Sequence, residues 1–352
     1  MKIIIPTYNR SAKLNRTLRC YKSSKDFNIN DFIVIDGSNT EHSDKNKESC
    51  MRYGFAYKKY DPKYDLVERL LAYLKTNNDD NLVFLGSDED VFLPGFVKKS
   101  KDFMDNNKDY STFIGRYITF CPSFLFLNRI SHFRDYIVNA DINSDEPYQR
   151  AIKLFTLVLV GCSPVFFSIR RKDQLIKSLE KQLLVNLEST EELMDQTSLA
   201  LEGKIMFNDE PMLLRDETNY GYTYYKKRHD QDSYITEDDL DNYKNILNEK
   251  YSSYDLKPMI KYVHDLWSNI SIETNHQSIA LSRHRNMYSP YKPINSNALP
   301  KSKIFIIFFS KVGIVISQVI SWFYIKKDLE TKGYKKMLKI FSEKIPTHAK
   351  LK

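Results

Sequence analysis

Along the first ninety residues, unbroken apolar runs alternate with stretches in which apolar positions recur every three or four residues. The runs are Ile3-Ile4-Ile5, Phe32-Ile33-Val34-Ile35 and Leu82-Val83-Phe84-Leu85. Each is too short for a helix, rich in β-branched or aromatic residues, and stops abruptly at polar residues, which predicts three buried strands. The segments Ala12 to Cys20 and Leu66 to Leu74 carry the helical spacing. Alternation of this kind predicts an α/β fold with a mostly parallel sheet, right-handed crossovers and helices on both faces. All three runs end in polar side chains: Thr7-Tyr8-Asn9-Arg10, Asp36-Gly37-Ser38 and Ser87-Asp88-Glu89-Asp90. Carboxyl ends of parallel strands are where open α/β sheets place their ligands.

Further along, the pattern predicts a helix from about Phe96, after Pro94-Gly95, then strands over Ser111–Phe120 and Pro164–Ile169. Helices are expected over Gln174–Leu184, Glu191–Leu201 and Tyr234–Tyr262, with residues 121–160 ambiguous and Thr218–Tyr225 a loop or edge strand. The prolines at 290, 293 and 300 mark residues 286–303 as a linker. Residues 304–325 form an apolar stretch whose helical length, about 33 Å, would reach across a bilayer. Lys311 lies inside it, and Ser310, Lys311, Ser317, Gln318 and Ser321 gather on one face. A span would also carry the lysine-rich end out of the cytoplasm, against the positive-inside rule. A helix lying in the membrane interface is the expectation, ahead of a core or oligomerisation helix and of a span. The domain plan is therefore 1–230 as the ligand-binding domain, 231–285 as its helical continuation, 286–303 as linker and 304–352 as an amphipathic, lysine-rich, membrane-associating tail.

Charge changes one part of this picture. The chain of 352 residues has a net charge of +8. Residues 301–352 alone hold 12 lysines against three acids (Asp328, Glu330, Glu343), so the rest of the chain is close to neutral. A nucleic-acid groove needs basic charge on the folded body, so nucleic acid is not an expected partner. The four cysteines (Cys20, Cys50, Cys121, Cys162) show no paired spacing, which argues against a zinc site or a disulfide framework. Nothing before Pro6 is long enough for a signal-peptide core, and the expected location is the cytoplasm, peripherally attached to the inner face of the cell membrane.

Three motifs together, "IIIPTYNR", "VIDGS" and "LGSDEDVFLPGF", resemble family-2 glycosyltransferases of the GT-A fold, more narrowly the bacterial members that build surface polysaccharides. The resemblance covers roughly residues 1–225. It implies a GT-A, Rossmann-like sheet with a C-terminal helical extension, and an inverting hexosyl- or N-acetylhexosaminyltransferase. The donor would be a nucleotide-sugar, a UDP-sugar, and the acceptor a surface glycan, possibly one linked to lipid. Thr7, Tyr8, Asn9 and Arg10 would hold the nucleotide: Tyr8 offers a face for the base and Arg10 a cation for phosphate. Asp36 would accept the uracil N3–H, or else cap a turn. Asp88-Glu89-Asp90 resembles the DxD motif, which holds Mn²⁺ or Mg²⁺ through hard oxygens. Asp90 is the expected metal ligand, with Asp88 on the metal or the ribose. Three adjacent acids also repel one another unless a cation sits among them.

The same family places a general base in an acidic pair about ten residues before a glycine. Glu191-Glu192 ahead of Gly203 resembles that layout, so Glu192 fills the base position. Asp195, one turn further along the same face, is the rival. His229 is a weaker candidate for the metal, and Arg69 is expected in a surface salt bridge rather than on the donor. Two other functions compete. One is a GT-A-like protein that binds nucleotide-sugar or glycan without turnover; the other is a sugar nucleotidyltransferase, though the loop after the first strand lacks the glycines that reaction usually needs.

Overall fold

The computed structural model describes residues 1–77, 80–120, 140–158, 166–184, 188–216 and 326–343, together with residue 245. Apart from residue 245, the expected helix at 234–262 falls outside these residues, as do Thr218–Tyr225, the linker, the apolar stretch 304–325 and His229. The N-terminal half follows the predicted alternation. It contains β1 (Lys2–Thr7), α1 (Ser11–Ser23), β2 (Phe32–Asp36), α2 (Thr40–Tyr53), β3 (Ala56–Lys59), α3 (Leu66–Thr76), β4 (Leu82–Leu85), β5 (Val91–Phe92) and α4 (Pro94–Asn106). Then come β6 (Tyr110–Phe120), β7 (Ala140–Ile142), α5 (Pro147–Val158), β8 (Ile169–Arg171), α6 (Lys172–Gln182), α7 (Glu188–Glu202), β9 (Lys204–Asp216) and α8 (Lys335–Phe341).

One sheet runs in the order β3-β2-β1-β4-β8-β6-β9-β5, with β7 against β9. The pairs β3/β2, β2/β1 and β1/β4 are parallel, as the alternation predicts, whereas β8 runs antiparallel to both β4 and β6. Register aligns Thr7 with Asp36 and Ile4 with Leu85, so the polar ends of β1 and β2 meet and the turn after β4 lies beside them.

Consecutive apolar residues are explained by burial on both faces, because side chains alternate along a strand. Ile3, Ile5, Val34 and Phe84 join Leu14 and Leu18 of α1 in one core cluster. Ile4, Ile33, Ile35, Val83 and Leu85 join Leu70, Leu71 and Leu74 of α3 and Leu175 and Leu179 of α6 in the other. Each such side chain contributes about 1.5–3 kcal/mol relative to exposure.

Several elements differ from the sequence expectation. The strand expected over Pro164–Ile169 is instead Ile169–Arg171, a short strand that carries a buried arginine. Helix α2 is almost entirely polar; the Asn39 side chain caps it by accepting from His42 N–H, and Gly54 ends it at φ 82°, a left-handed conformation that favours glycine.

The end of the expected membrane tail is placed differently from the sequence plan. Residues 326–343 dock on α1: Leu329, Tyr334, Met337, Ile340 and Phe341 are buried in the first core cluster. Lys327, Lys332, Lys335, Lys336 and Lys339 face outward. The lysine-rich pattern thus marks the outer side of a packed segment, whose apolar side belongs to the folded domain.

Candidate functional site

Strand β1 stops at Thr7, whose carbonyl accepts from Gly37 N–H at 3.1 Å and whose hydroxyl donates to Asp88 Oδ2 at 2.8 Å. One residue therefore joins the ends of β1 and β2 to the acidic turn. Tyr8 follows with half of its surface exposed (50 %). Asn9 takes a positive φ of 55°, tolerable for asparagine, and this lets it face the neighbouring loop. Its N–H donates to Ser38 Oγ at 2.8 Å and its Oδ1 accepts from Asn39 N–H at 2.9 Å. Asn9 thus locks the first loop to the second.

Asp36 is fully buried. Its Oδ1 accepts from Ser38 N–H at 2.7 Å, and its Oδ2 accepts from Asn46 Nδ2 at 3.0 Å and from the Tyr57 hydroxyl at 2.8 Å. These bonds make Asp36 the organiser of the loop that follows β2. Arg69 sits under the same loops and is no surface residue. Its Nη1 donates to Thr7 O at 2.8 Å, its Nε to Asp65 O at 3.0 Å, and its guanidinium lies 5.9 Å from the centre of the Tyr8 ring. A Cβ on Gly37 would stand 2.6 Å from Arg69 Nη1, so glycine is what lets the guanidinium slide beneath the second loop.

The acidic turn after β4 is buried at all three positions. Its charge is met by cations of α1 and of the residue just before it. Arg10 Nη1 lies 3.2 Å from Glu89 Oε1 and 3.6 Å from Asp88 Oδ1, and Lys13 pairs with Glu89 Oε2. Arg16 Nη2 donates to Glu89 O at 3.0 Å and pairs with Asp216 Oδ2 at 2.6 Å. Thr17 fixes the turn's backbone by donating to Asp88 O at 2.9 Å. At the end of β9, Asp216 N–H donates to Asp90 Oδ1 at 2.9 Å.

Burial nonetheless pushes the Asp88 carboxyl up to about 6, against the pull of Arg10. It pushes Asp90 up to about 7, against Arg215 and with Glu89 adding to the rise. Glu89 is thus the carboxylate the chain's own cations engage most directly, while the compensation Asp88 and Asp90 receive from Arg10 and Arg215 falls short of the cost of their burial. Their hard oxygens suit Mg²⁺ or Mn²⁺. Among the described residues no group of three or more His, Cys, Asp or Glu is arranged to hold a metal, so other ligands would have to complete its shell.

Helix α7 carries Glu191, Glu192 and Asp195. Asp195 is buried in a two-pronged pair with Arg170 of β8: Nη1 to Oδ1 is 2.6 Å and Nη2 to Oδ2 is 2.7 Å. Ser178 Oγ donates to the same Oδ1 at 2.8 Å and Gln182 Nε2 at 3.4 Å. Asp195 therefore ties α7 to β8 and α6, and none of these hydrogen bonds runs to the acidic turn. Thr7, Arg10 and Asp88 are brought together, with Asp90 in the same turn. Arg16, Lys13, Thr17, Ser38 and Asp216 were not singled out from sequence. Arg10, Lys13 and Arg16 recur at every third residue just after β1, a one-face signal that could have pointed to them.

The sequence model described as Glycosyl transferase family 2 matches residues 2–175. Among solved structures, the fold is similar to TarS 1–349 of S. aureus, at 13 % identity and TM-score 0.45, with 84 % of this chain and 95 % of that one covered. The same S. aureus protein in complex with UDP-GlcNAc is similar at 13 % identity and TM-score 0.43, over the same 84 % and 95 %. Glucosyl-3-phosphoglycerate synthase from Mycobacterium tuberculosis, in complex with Mn²⁺ and UDP-glucose, is similar at 12 % identity and TM-score 0.39, over 65 % and 75 %. No curated protein matches the chain.

Proposed function

Because residues 2–175 form a glycosyl transferase family 2 domain, we propose that this protein moves a sugar from a UDP-sugar to a surface-glycan acceptor with inversion. The transferred sugar would be a hexose or an N-acetylhexosamine. The observation that carries the reading is the meeting of three strand ends at one acidic turn, with Thr7 on Asp88 and Arg10 on Asp88 and Glu89. Tyr8 supplies an exposed ring on which a base can stack. Arg10, half-exposed at the mouth of the turn, supplies a cation for phosphate. Asp36 shapes the loop beside them, and a uracil N3–H reaching it would have to replace one of its three present donors.

Asp88 and Asp90 are the residues proposed to hold Mn²⁺ or Mg²⁺. When bound, the ion would neutralise charge on the departing nucleotide. Glu192 is proposed as the base that takes the proton from the acceptor hydroxyl. Asp195, engaged by Arg170, is proposed to hold α7 in place for it. A membrane surface is proposed as partner through residues 304–325, supported by their one-sided polar pattern; among the described residues no helix is long and apolar enough to cross a membrane. The outward lysines of residues 326–343 would add attraction to anionic lipid, about 1 kcal/mol each near the surface. A peripheral site of this kind suits a lipid-linked acceptor.

The test is thermal unfolding with UDP, CDP, GDP and TDP, each with and without Mn²⁺. UDP at about 100 times its dissociation constant should add about 2.7 kcal/mol. The shift should require the metal and vanish in Asp90→Ala. No shift with any nucleotide would overturn the reading.

A further inference from the structure

We propose that Arg16 is a positioning residue through which the C-terminal segment 326–343 holds the acidic turn in shape, so that donor binding depends on that segment being docked. The inference rests on the donor site proposed above. Arg16 is nearly buried (6 % exposed), and its guanidinium is where four distant parts of the chain meet. Nη2 reaches Glu89 O at 3.0 Å and Asp216 Oδ2 at 2.6 Å. Nη1 donates to Phe341 O at 3.3 Å, and the guanidinium carbon stands 4.6 Å over the centre of the Phe341 ring. The Glu89 carbonyl lies between Asp88 and Asp90 in sequence, and Asp216 N–H holds Asp90 Oδ1 at 2.9 Å. A displacement of Arg16 is therefore felt on both sides of the turn.

What fixes Arg16 from beneath is the C-terminal segment. Met337, Ile340 and Phe341 bury their side chains against α1. Around them Cys20 Sγ donates to Met337 O at 3.8 Å and Gly95 N–H donates to the Tyr334 hydroxyl at 3.2 Å. Arg19 Nη1 pairs with Glu343 Oε2 at 2.9 Å. Because this docking is mostly apolar, it can set the position of a charged group that touches it. The planar, forked guanidinium reaches carbonyl and carboxylate acceptors in different directions; a lysine ammonium would keep the charge and lose that geometry. Without the Phe341 ring, Arg16 can tilt into the space left, and its hold on Glu89 O and Asp216 weakens.

The test compares the full chain with Arg16→Lys, Phe341→Ala, the milder Phe341→Leu, and Leu175→Ala as a core truncation on the other face of the sheet. UDP affinity in saturating Mn²⁺ is measured by calorimetry well below every unfolding midpoint, alongside amide exchange of the peptide 86–93. Arg16→Lys and Phe341→Ala should weaken UDP binding at least about tenfold and speed exchange at 86–93. Phe341→Leu should recover most of both, and Leu175→Ala should change neither, although it lowers the midpoint. Binding within about twofold of the parent, with unchanged exchange, would overturn the proposal. Failure of the parent protein to bind UDP would instead overturn the donor reading. Exchange at 86–93 would then still decide whether the C-terminal segment holds the turn.

Discussion

Replacing Asp195 by alanine takes away the carboxylate that both terminal nitrogens of Arg170 meet, at 2.6 and 2.7 Å, while the guanidinium stays buried at 1 % exposure. Removing one member of a buried pair costs about 3–5 kcal/mol, because the remaining charge is left without compensation. Ser178 and Gln182 lose their acceptor at the same time, so the upper part of that range, about 4–5 kcal/mol, applies. At about 2–4 °C for each kcal/mol, the midpoint should fall by roughly 8–20 °C. The pair Arg170→Met with Asp195→Leu removes both charges and should regain most of the loss. The assay is thermal and urea unfolding, with UDP and Mn²⁺ binding measured well below the midpoint. Binding should stay within about threefold of the parent, since the hydrogen bonds of Asp195 run to Arg170, Ser178 and Gln182 and not to the acidic turn. The opposite pattern, an unchanged midpoint with turnover lost in both Asp195→Ala and Asp195→Asn, would refute this reasoning and make Asp195 the base.

Three further outcomes follow from the same geometry. Glu192→Gln should lower sugar transfer by at least about a hundredfold while leaving UDP affinity unchanged; full transfer by this variant would remove Glu192 from the mechanism, and absence of transfer by the parent on every acceptor tried would favour a binding-only protein. Burial holds the Asp88 and Asp90 carboxyls at about 6 and about 7, above 3.8 in the unfolded chain, so their contribution is complete below about pH 4 and is lost as pH rises through 6 to 7. In EDTA the parent should accordingly lose stability relative to Asp90→Asn between about pH 4 and about pH 7, and a difference independent of pH would count against the burial of this pair. Cys20 and Cys50 are buried, with thiols pushed up to about 12, so iodoacetamide at about pH 8, read site by site by peptide mapping, should label these two only after denaturation; rapid labelling of Cys20 in the native protein would show that the α1–α8 contact opens.

The parts of the fold legible in the sequence are those whose burial is symmetrical. Strands β1, β2 and β4 bury both faces, so their apolar residues run consecutively and stop where the site begins. Strand β9 was not legible because Asn208-Asp209-Glu210-Pro211 interrupts it. The structure absorbs that interruption through shifts of register against β6, between Ile114 and Arg116 and again before Tyr117. Strand β8 was misplaced for an electrostatic reason. Hydrophobic patterning treats Arg170 as a surface residue, yet Asp195, 25 positions later, pairs with it and makes its burial possible. The C-terminal lysines misled in the opposite sense: a charged outer face says nothing about what the inner face covers, and here it covers α1.

The acidic turn was legible, but one reason for expecting a metal there was incomplete. Three adjacent carboxylates would repel one another if left alone, and the chain does not leave them alone. Arg10 and Lys13 meet Glu89, Arg16 meets the Glu89 carbonyl, and Arg215 acts on Asp90. A cation bound from solution is therefore not needed merely to make three acids tolerable. What still favours one is the uneven way the compensation falls. Glu89, the middle acid, takes two cationic side chains, while burial continues to raise Asp88 and Asp90 on either side of it. A divalent ion would stabilise the ionised forms of those two residues, and they are the same two that the DxD resemblance assigns to it. The protein's own cations thus shape the turn and offset the burial of its outer carboxylates only in part, which favours a ligand that brings positive charge.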